Sequence, residues 1–312
     1  MAEHFQIIQH IVAAAKRGND IGLAVVVEQQ GSTPRKPGTM LMLDGEGRQI
    51  GTIGGGELER QVTQTLARAM MEHQAILRHF DLAPEGFGMP CGGRVKVLMT
   101  PVSSQEGRGI FQTLLKNLRA GRACLLRAEM TEPGAIRWTI DPDRQEVLSG
   151  FDLSLEPPAP LFIFGAGHIA QALAPMAAAA DFSVTILDDR EERLERWNDS
   201  GNVAAVRIDT FENCLSGRSL AETDYVLIAT YGHQHDLTVL RQVLETAAGY
   251  IGMVGSRSKR DAVFARLKAE GLNDAALARV HCPVGLPIHA ETPAEIAVSI
   301  LAEMIAHRRK AP

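Results

Sequence analysis

The chain has 312 residues, of which 45% are hydrophobic and 22% charged, with a formal net charge of −5. That composition is globular and long enough for one large or two ordinary domains. The acidic excess leaves no basic footprint for nucleic acid or an anionic membrane, and the four cysteines (Cys91, Cys124, Cys214, Cys282) form no CxxC pair of a disulfide framework or zinc ribbon.

The N-terminus carries an amphipathic helical run over residues 3–17 with no basic n-region or cleavage site, and no stretch nears the ~18 apolar residues of a membrane span. A cytoplasmic protein is expected. The run GLAVVVEQQ reads as a strand, GSTPRKPG as a loop, and TMLMLD with GRQIGTI as a hairpin around Asp44-Gly45-Glu46-Gly47. GELERQVTQTLARAMMEHQ is helical, with Leu58, Val62, Leu66, Ala69 and Met70 on one face. Strands AILRHFDL and RVKVLMTPV follow, separated by the loop GFGMPCGG. A helix over GIFQTLLKNLRA and short strands ACLLRAEM and IRWTI complete a mixed α+β N-terminal domain (1–154).

Pro157, Pro158 and Pro160 mark LEPPAP (155–160) as a stiff linker. Beyond it, over 161–312, strands LFIFG, SVTILDD, VAAVRID, YVLIAT and YIGMVG alternate with helices. Such alternation predicts a Rossmann-like, doubly wound parallel sheet, so the whole chain is of α/β class. Thr292, Pro293 and Glu295 signal the start of a final helix.

FGAGHIA fits G-x-G-x-x-G/A directly after a strand, with Asp188 ending the next one. Gly165 would permit the turn, Gly167 would admit a diphosphate to the backbone, and His168 opens the helix. NAD(P) with Asp188 on a ribose is one reading; a Rossmann scaffold holding something else is the other. ATYGHQHD puts His233, His235 and Asp236 at a strand's carboxyl end, where metal ligation competes with capping and polar contact. GSRSKR opens a helix with Ser256, Arg257 and two further cations, an oxyanion site or an ordinary capped start. In the N-terminal domain, Gly54, Gly55 and Gly56 precede Glu57 at a helix mouth, Arg35 lies in a proline-pinned loop, and Cys91 sits in the turn PCGG. Its thiolate there would be open to a soft metal or an electrophile, against the alternative of a small buried hydrophobe.

With GSTPRKPG, GTIGGGELE, PCGGRVKV, FGAGHIAQALAPMA, YGHQHD, YIGMVGSRSKRD and ETPAEIAVSILAEMI in this order, the chain resembles the XdhC/CoxI family over nearly its full length. These are accessory proteins of xanthine dehydrogenase and related molybdenum hydroxylases. The resemblance implies a chaperone that binds molybdenum cofactor (molybdopterin or its dinucleotide form), supports its sulfuration with a cysteine desulfurase and inserts it into the apo-hydroxylase. It also implies a homodimer. Under it, Cys91 becomes a molybdenum or sulfur contact, and Arg35, Gly54 to Gly56 and the Ser256-Arg257 loop become cofactor contacts. Where many members carry Thr-His after the YVLIA-type strand, this sequence has Thr230-Tyr231-Gly232-His233. An NAD(P)-dependent oxidoreductase is the alternative, and a metal-dependent hydrolase on His233, His235 and Asp236 has too few ligands.

Overall fold

The structure, a computed structural model, describes residues 4–82, 92–102, 105–141, 150–197 and 203–310. The chain divides into two compact units, Met1–Pro158 and Ala159–Pro312.

In the first unit α1 (His4–Lys16) is followed by β1 (Ile21–Gln30), β2 (Met40–Asp44), β3 (Gln49–Gly51), α2 (Gly56–Glu72), β4 (Ile76–Asp81) and β5 (Arg94–Pro101). Then come α3 (Gln105–Arg119), β6 (Cys124–Glu132), β7 (Ala135–Ile140) and β8 (Gly150–Leu155). The order β3-β2-β1-β5-β4 makes one sheet and β7-β6-β8 another, both antiparallel. β1 is apolar without alternation because both faces of its sheet are covered. Ala24 and Val26 share a core with Leu58, Val62 and Leu66 of α2, while Leu23 and Val25 share another with Ile7, Leu114 and Trp138. The expected hairpin forms, with Asp44 Oδ1 accepting from the amides of Glu46 and Arg48 at 3.1 and 2.8 Å. β8 went unread in the sequence, although Leu153 and Leu155 alternate into the core.

The second unit runs β9 (Ala159–Phe164), α4 (His168–Ala179), β10 (Phe182–Asp188), α5 (Glu191–Leu194), β11 (Val203–Arg207) and β12 (Tyr225–Ile228). It continues with α6 (His233–Leu244), β13 (Tyr250–Met253), α7 (Arg257–Ala269), α8 (Asp274–Leu277), β14 (Val280–His281) and α9 (Pro293–Lys310). The sheet is wholly parallel in the order β11-β10-β9-β12-β13-β14. Counted along this unit, that is third-second-first-fourth-fifth-sixth, the dinucleotide-fold order, which reverses between β9 and β12. α4 and α9 cover one face with Leu161, Ile163, Ile186 and Leu227; α6 and α7 cover the other with Phe164, Leu187, Val226 and Ile228. Pro160 lies within β9, opposite Ser183. The pairing of β9 with β12 starts only at Leu161, so the missing proline N–H costs no ladder bond on that side. The final helix starts with the predicted reciprocal cap: Glu295 N donates to Thr292 Oγ1 and Thr292 N to Glu295 Oε2, at 3.3 and 2.9 Å. No described helix is long and apolar enough to cross a membrane.

Candidate functional site

Open α/β sheets take ligands beyond the carboxyl ends of their strands, where the strand order reverses. There the loops leaving β9, β12 and β13 run side by side, with Ala229 N donating to Phe164 O and Val254 N to Ile228 O, both at 2.9 Å. Gly165 adopts φ +109°, and a Cβ on it would lie 2.3 Å from the Ala229 carbonyl oxygen. Packing against the β12 exit therefore demands glycine. Gly167 caps α4 in an extended conformation, supplies no side-chain cap and has open space around it. Gly232 caps α6 with an extended backbone and no side-chain cap, though a Cβ on it would lie 3.2 Å from the His235 ring. Exposed His168 and His233 open the two helices, and α4 has no acid in its first turn. Neither mouth has a side-chain cap, but α6 carries Asp236 in its first turn, so of the two twelve-residue helices α4 presents the positive end free of acid.

The acid that a dinucleotide fold aims at a ribose is otherwise engaged. Asp188 is 0% exposed. Its Oδ2 accepts from Ala166 N and Arg190 Nη2 at 2.7 and 2.9 Å, and its Oδ1 from Arg190 N and Nε at 3.0 and 2.9 Å. A carboxylate has about four acceptor positions, and all are filled. Burial works to raise this carboxyl, but the Arg190 guanidinium and the two amides outweigh it and hold it below its ordinary range. Arg190 also lies 3.9 Å above the Tyr231 ring, and Tyr231 Oη donates to Asp189 at 2.9 Å. The sequence reading missed Arg190 and Tyr231; the adjacent Asp188-Asp189-Arg190 was the available signal.

Asp236, 2% exposed, ties the β12 exit to α7. Its Oδ1 accepts from Thr230 N and Oγ1 at 3.1 and 2.7 Å, and its Oδ2 binds Lys259 Nζ, which also donates to Val254 O at 2.8 Å. One of the cations expected to serve an oxyanion is therefore consumed internally. Ser256 caps α7 by accepting from Lys259 N at 3.2 Å, and Arg257 is exposed. His235 does not join His233. Its ring packs 5.1 Å from Phe211 and 4.7 Å from Tyr231, and among the described residues no cluster of three or more His, Cys, Asp or Glu could hold a metal.

In the first unit three glycine-bearing loops meet. Ser32 bridges to Gly92, a Cβ on Gly93 would lie 2.3 Å from Ser32 O, and one on Gly54 would lie 2.8 Å from Pro34 Cγ. Gly55 has φ +77° and ψ −178°, a region essentially confined to glycine, with nothing near its missing side chain. Glu59, which the sequence reading passed over in favour of Glu57, occupies this loop. Its Oε2 accepts from Ile53 N, Gly55 N and Thr52 Oγ1, the first two at 3.1 and 3.2 Å, while Oε1 accepts from Gln49 at 2.7 Å. Burial raises this carboxyl, yet these donors together leave it below its ordinary value. Glu57 instead pairs with exposed Arg60, whose guanidinium holds it down to about 2. Half-buried Arg35 brings the Cγ of its stem to 3.7 Å from where a Cβ on Gly54 would lie, and among the described residues nothing pairs with its guanidinium. Cys91 falls outside the described residues. Burial raises the thiols of Cys124, Cys214 (to about 11) and Cys282, so none of these three is a ready nucleophile.

Residues 161–304 match the XdhC Rossmann domain and residues 14–81 the XdhC and CoxI family. A protein of Bacillus subtilis named as a probable component of xanthine dehydrogenase is 29% identical over 92% of this chain and 93% of its own. The molybdenum cofactor insertion chaperone PaoD of Escherichia coli is 25% identical over 98% of this chain and 89% of its own. The uncharacterized Escherichia coli protein YqeB is 27% identical over 93% of this chain, which spans only 44% of that relative. A crystal structure described as a xanthine dehydrogenase from Bacillus halodurans superimposes with a TM-score of 0.82 at 25% identity, covering 98% of this chain and 96% of the other. The chain belongs to the XdhC and CoxI family.

Proposed function

We propose that this protein binds molybdenum cofactor and inserts it into an apo-hydroxylase of the xanthine dehydrogenase type. The names of the Bacillus subtilis and Escherichia coli relatives support that client and that role. The observation that carries the reading lies in the second unit: two uncapped helix mouths at the strand-order reversal, above an acid already filled by the protein itself. That donor set fits a terminal phosphate, and Asp188, the acid that would hold a ribose, is already filled by Arg190 and two amides. Gly167, His168 and His233 would hold the phosphate, with Ser256 and Arg257 alongside. In the first unit Arg35 and the Gly54–Gly56 loop would contact the cofactor, and Cys91, next in sequence to bridged Gly92, would meet molybdenum or its sulfur. Bound, the cofactor carries the molybdenum centre that the client needs; this chain's residues hold and shield it. The reading includes a cytoplasmic homodimer and a separate cysteine desulfurase as sulfur donor.

The test is to load purified protein with molybdenum cofactor or NAD(H), desalt, and measure retained ligand and reconstitution of an apo-hydroxylase. Retained pterin that reconstitutes the client is expected, and Cys91→Ala is expected to weaken retention or block transfer. Tight NAD(H) retention without pterin overturns the reading.

A further inference from the structure

We infer that Arg190 closes the β10 side of the crevice to a nucleoside and that the ligand's body lies over β13 and β14, so the second unit selects a compact phosphorylated heterocycle over a dinucleotide. This deepens the function proposed above and rests on it.

In this strand order, a nucleoside joined to a phosphate at the α4 mouth extends toward the acid ending β10. Here Asp188 has no acceptor position left, and Arg190 lies across it and over Tyr231, whose hydroxyl is tied to Asp189. Two residues after β10 and one after β12 thus join across the seat that a ribose and base would take. Opening it means separating Arg190 from a fully buried carboxylate, which the surrounding low dielectric resists.

The opposite side is open. Beyond the carboxyl ends of β13 and β14 lies a cavity of about 490 Å³ lined in part by Val254, Gly255, Arg257, Leu286, Ile288 and Ile296. Its size falls in the usual small-ligand range of roughly 300–1,000 Å³. β13 stands two strand spacings from β9, about 10 Å, a span that a phosphorylated bicyclic or tricyclic ring covers. Leu286 and Ile288 are 40% and 48% exposed at this cavity, an apolar surface suited to the face of a flat ring. Arg257, unpaired among the described residues, adds a planar cation that stacks on such a ring or binds an oxyanion. One side of the phosphate site is filled by the protein, and the other has the room and the chemistry for a heterocycle.

The experiment titrates the full-length protein with a 6-substituted pterin carrying a terminal phosphate and, separately, with ADP-ribose. Pterin phosphate is expected to bind at least tenfold more tightly. Ile288→Arg, at an exposed position, should weaken it at least tenfold without moving the unfolding midpoint. Tyr231→Ala, which keeps the Asp188–Arg190 pair, should narrow the gap by improving ADP-ribose binding. Equal or tighter ADP-ribose binding by the wild type overturns the inference. So does pterin-phosphate binding indifferent to Ile288→Arg, which leaves the proposed function standing. Absence of any pterin-phosphate binding removes the proposed function and this inference together.

Discussion

Each unit has a glycine-rich turn in front of a long helix, and the two turns are used in opposite ways. At α2 the loop amides of Ile53 and Gly55 are bound by the chain's own Glu59, and a second acid, Glu57, stands in the first turn. At α4 the first turn holds no acid, and the nearby carboxylate of Asp188 is drawn beneath the loop to Ala166 N, leaving the mouth free. A glycine pattern before a helix specifies a backbone shape. What fills the amides depends on where the acids fall, and only the α4 turn is left clear for an outside anion.

The contrast is tested hardest at Asp188. Asp188→Ala strands Arg190 and the Ala166 amide, and a loss of about 3–5 kcal/mol is expected, read as a fall in the denaturant midpoint. Gly165→Ala should come next, at about 3 kcal/mol, because it combines positive φ with a collision against Ala229 O. Gly55→Ala meets no neighbour, so only backbone strain opposes it, about 1–3 kcal/mol. Parity of the two glycine variants would show that contact with β12 is unimportant. Glu59→Gln should cost about 1–2 kcal/mol by weakening the hold on the first-unit loop. Its pH signature has a definite sign. The folded carboxyl lies below its ordinary 4.5, so its contribution is present above that pH and is lost as the pH falls through the folded value. Below pH 4.5 the stability gap between wild type and Glu59→Gln should shrink; a constant gap would mean that Glu59 is not held as a carboxylate.

Much of this was legible in advance. Alternating strands and helices over 161–253, the FGAGHIA turn and the Thr292 cap rest on local periodicity and spacing, and they appear as read. What escaped depends on contacts that spacing does not encode. Glu59 is taken by amides four to six residues back, where Glu57 had looked better placed. Asp188 kept its position but is claimed by Arg190 two residues on, and Lys259 by Asp236 from a different helix. His235 turns into an aromatic cluster with Phe211, remote in sequence. Asp188 and Lys259, expected to face a ligand, found charged partners within the protein, as buried ionisable groups do.

The most direct measurement uses Gly167→Asp. Gly167 is extended with open space around it, so aspartate fits and caps α4, adding roughly a few tenths of a kcal/mol. It also puts a negative charge where the ligand's phosphate is proposed to sit. Retention of molybdenum cofactor after desalting should fall at least tenfold while the unfolding midpoint holds or rises. Undiminished retention by a folded Gly167→Asp protein would contradict the placement of the phosphate at the α4 mouth.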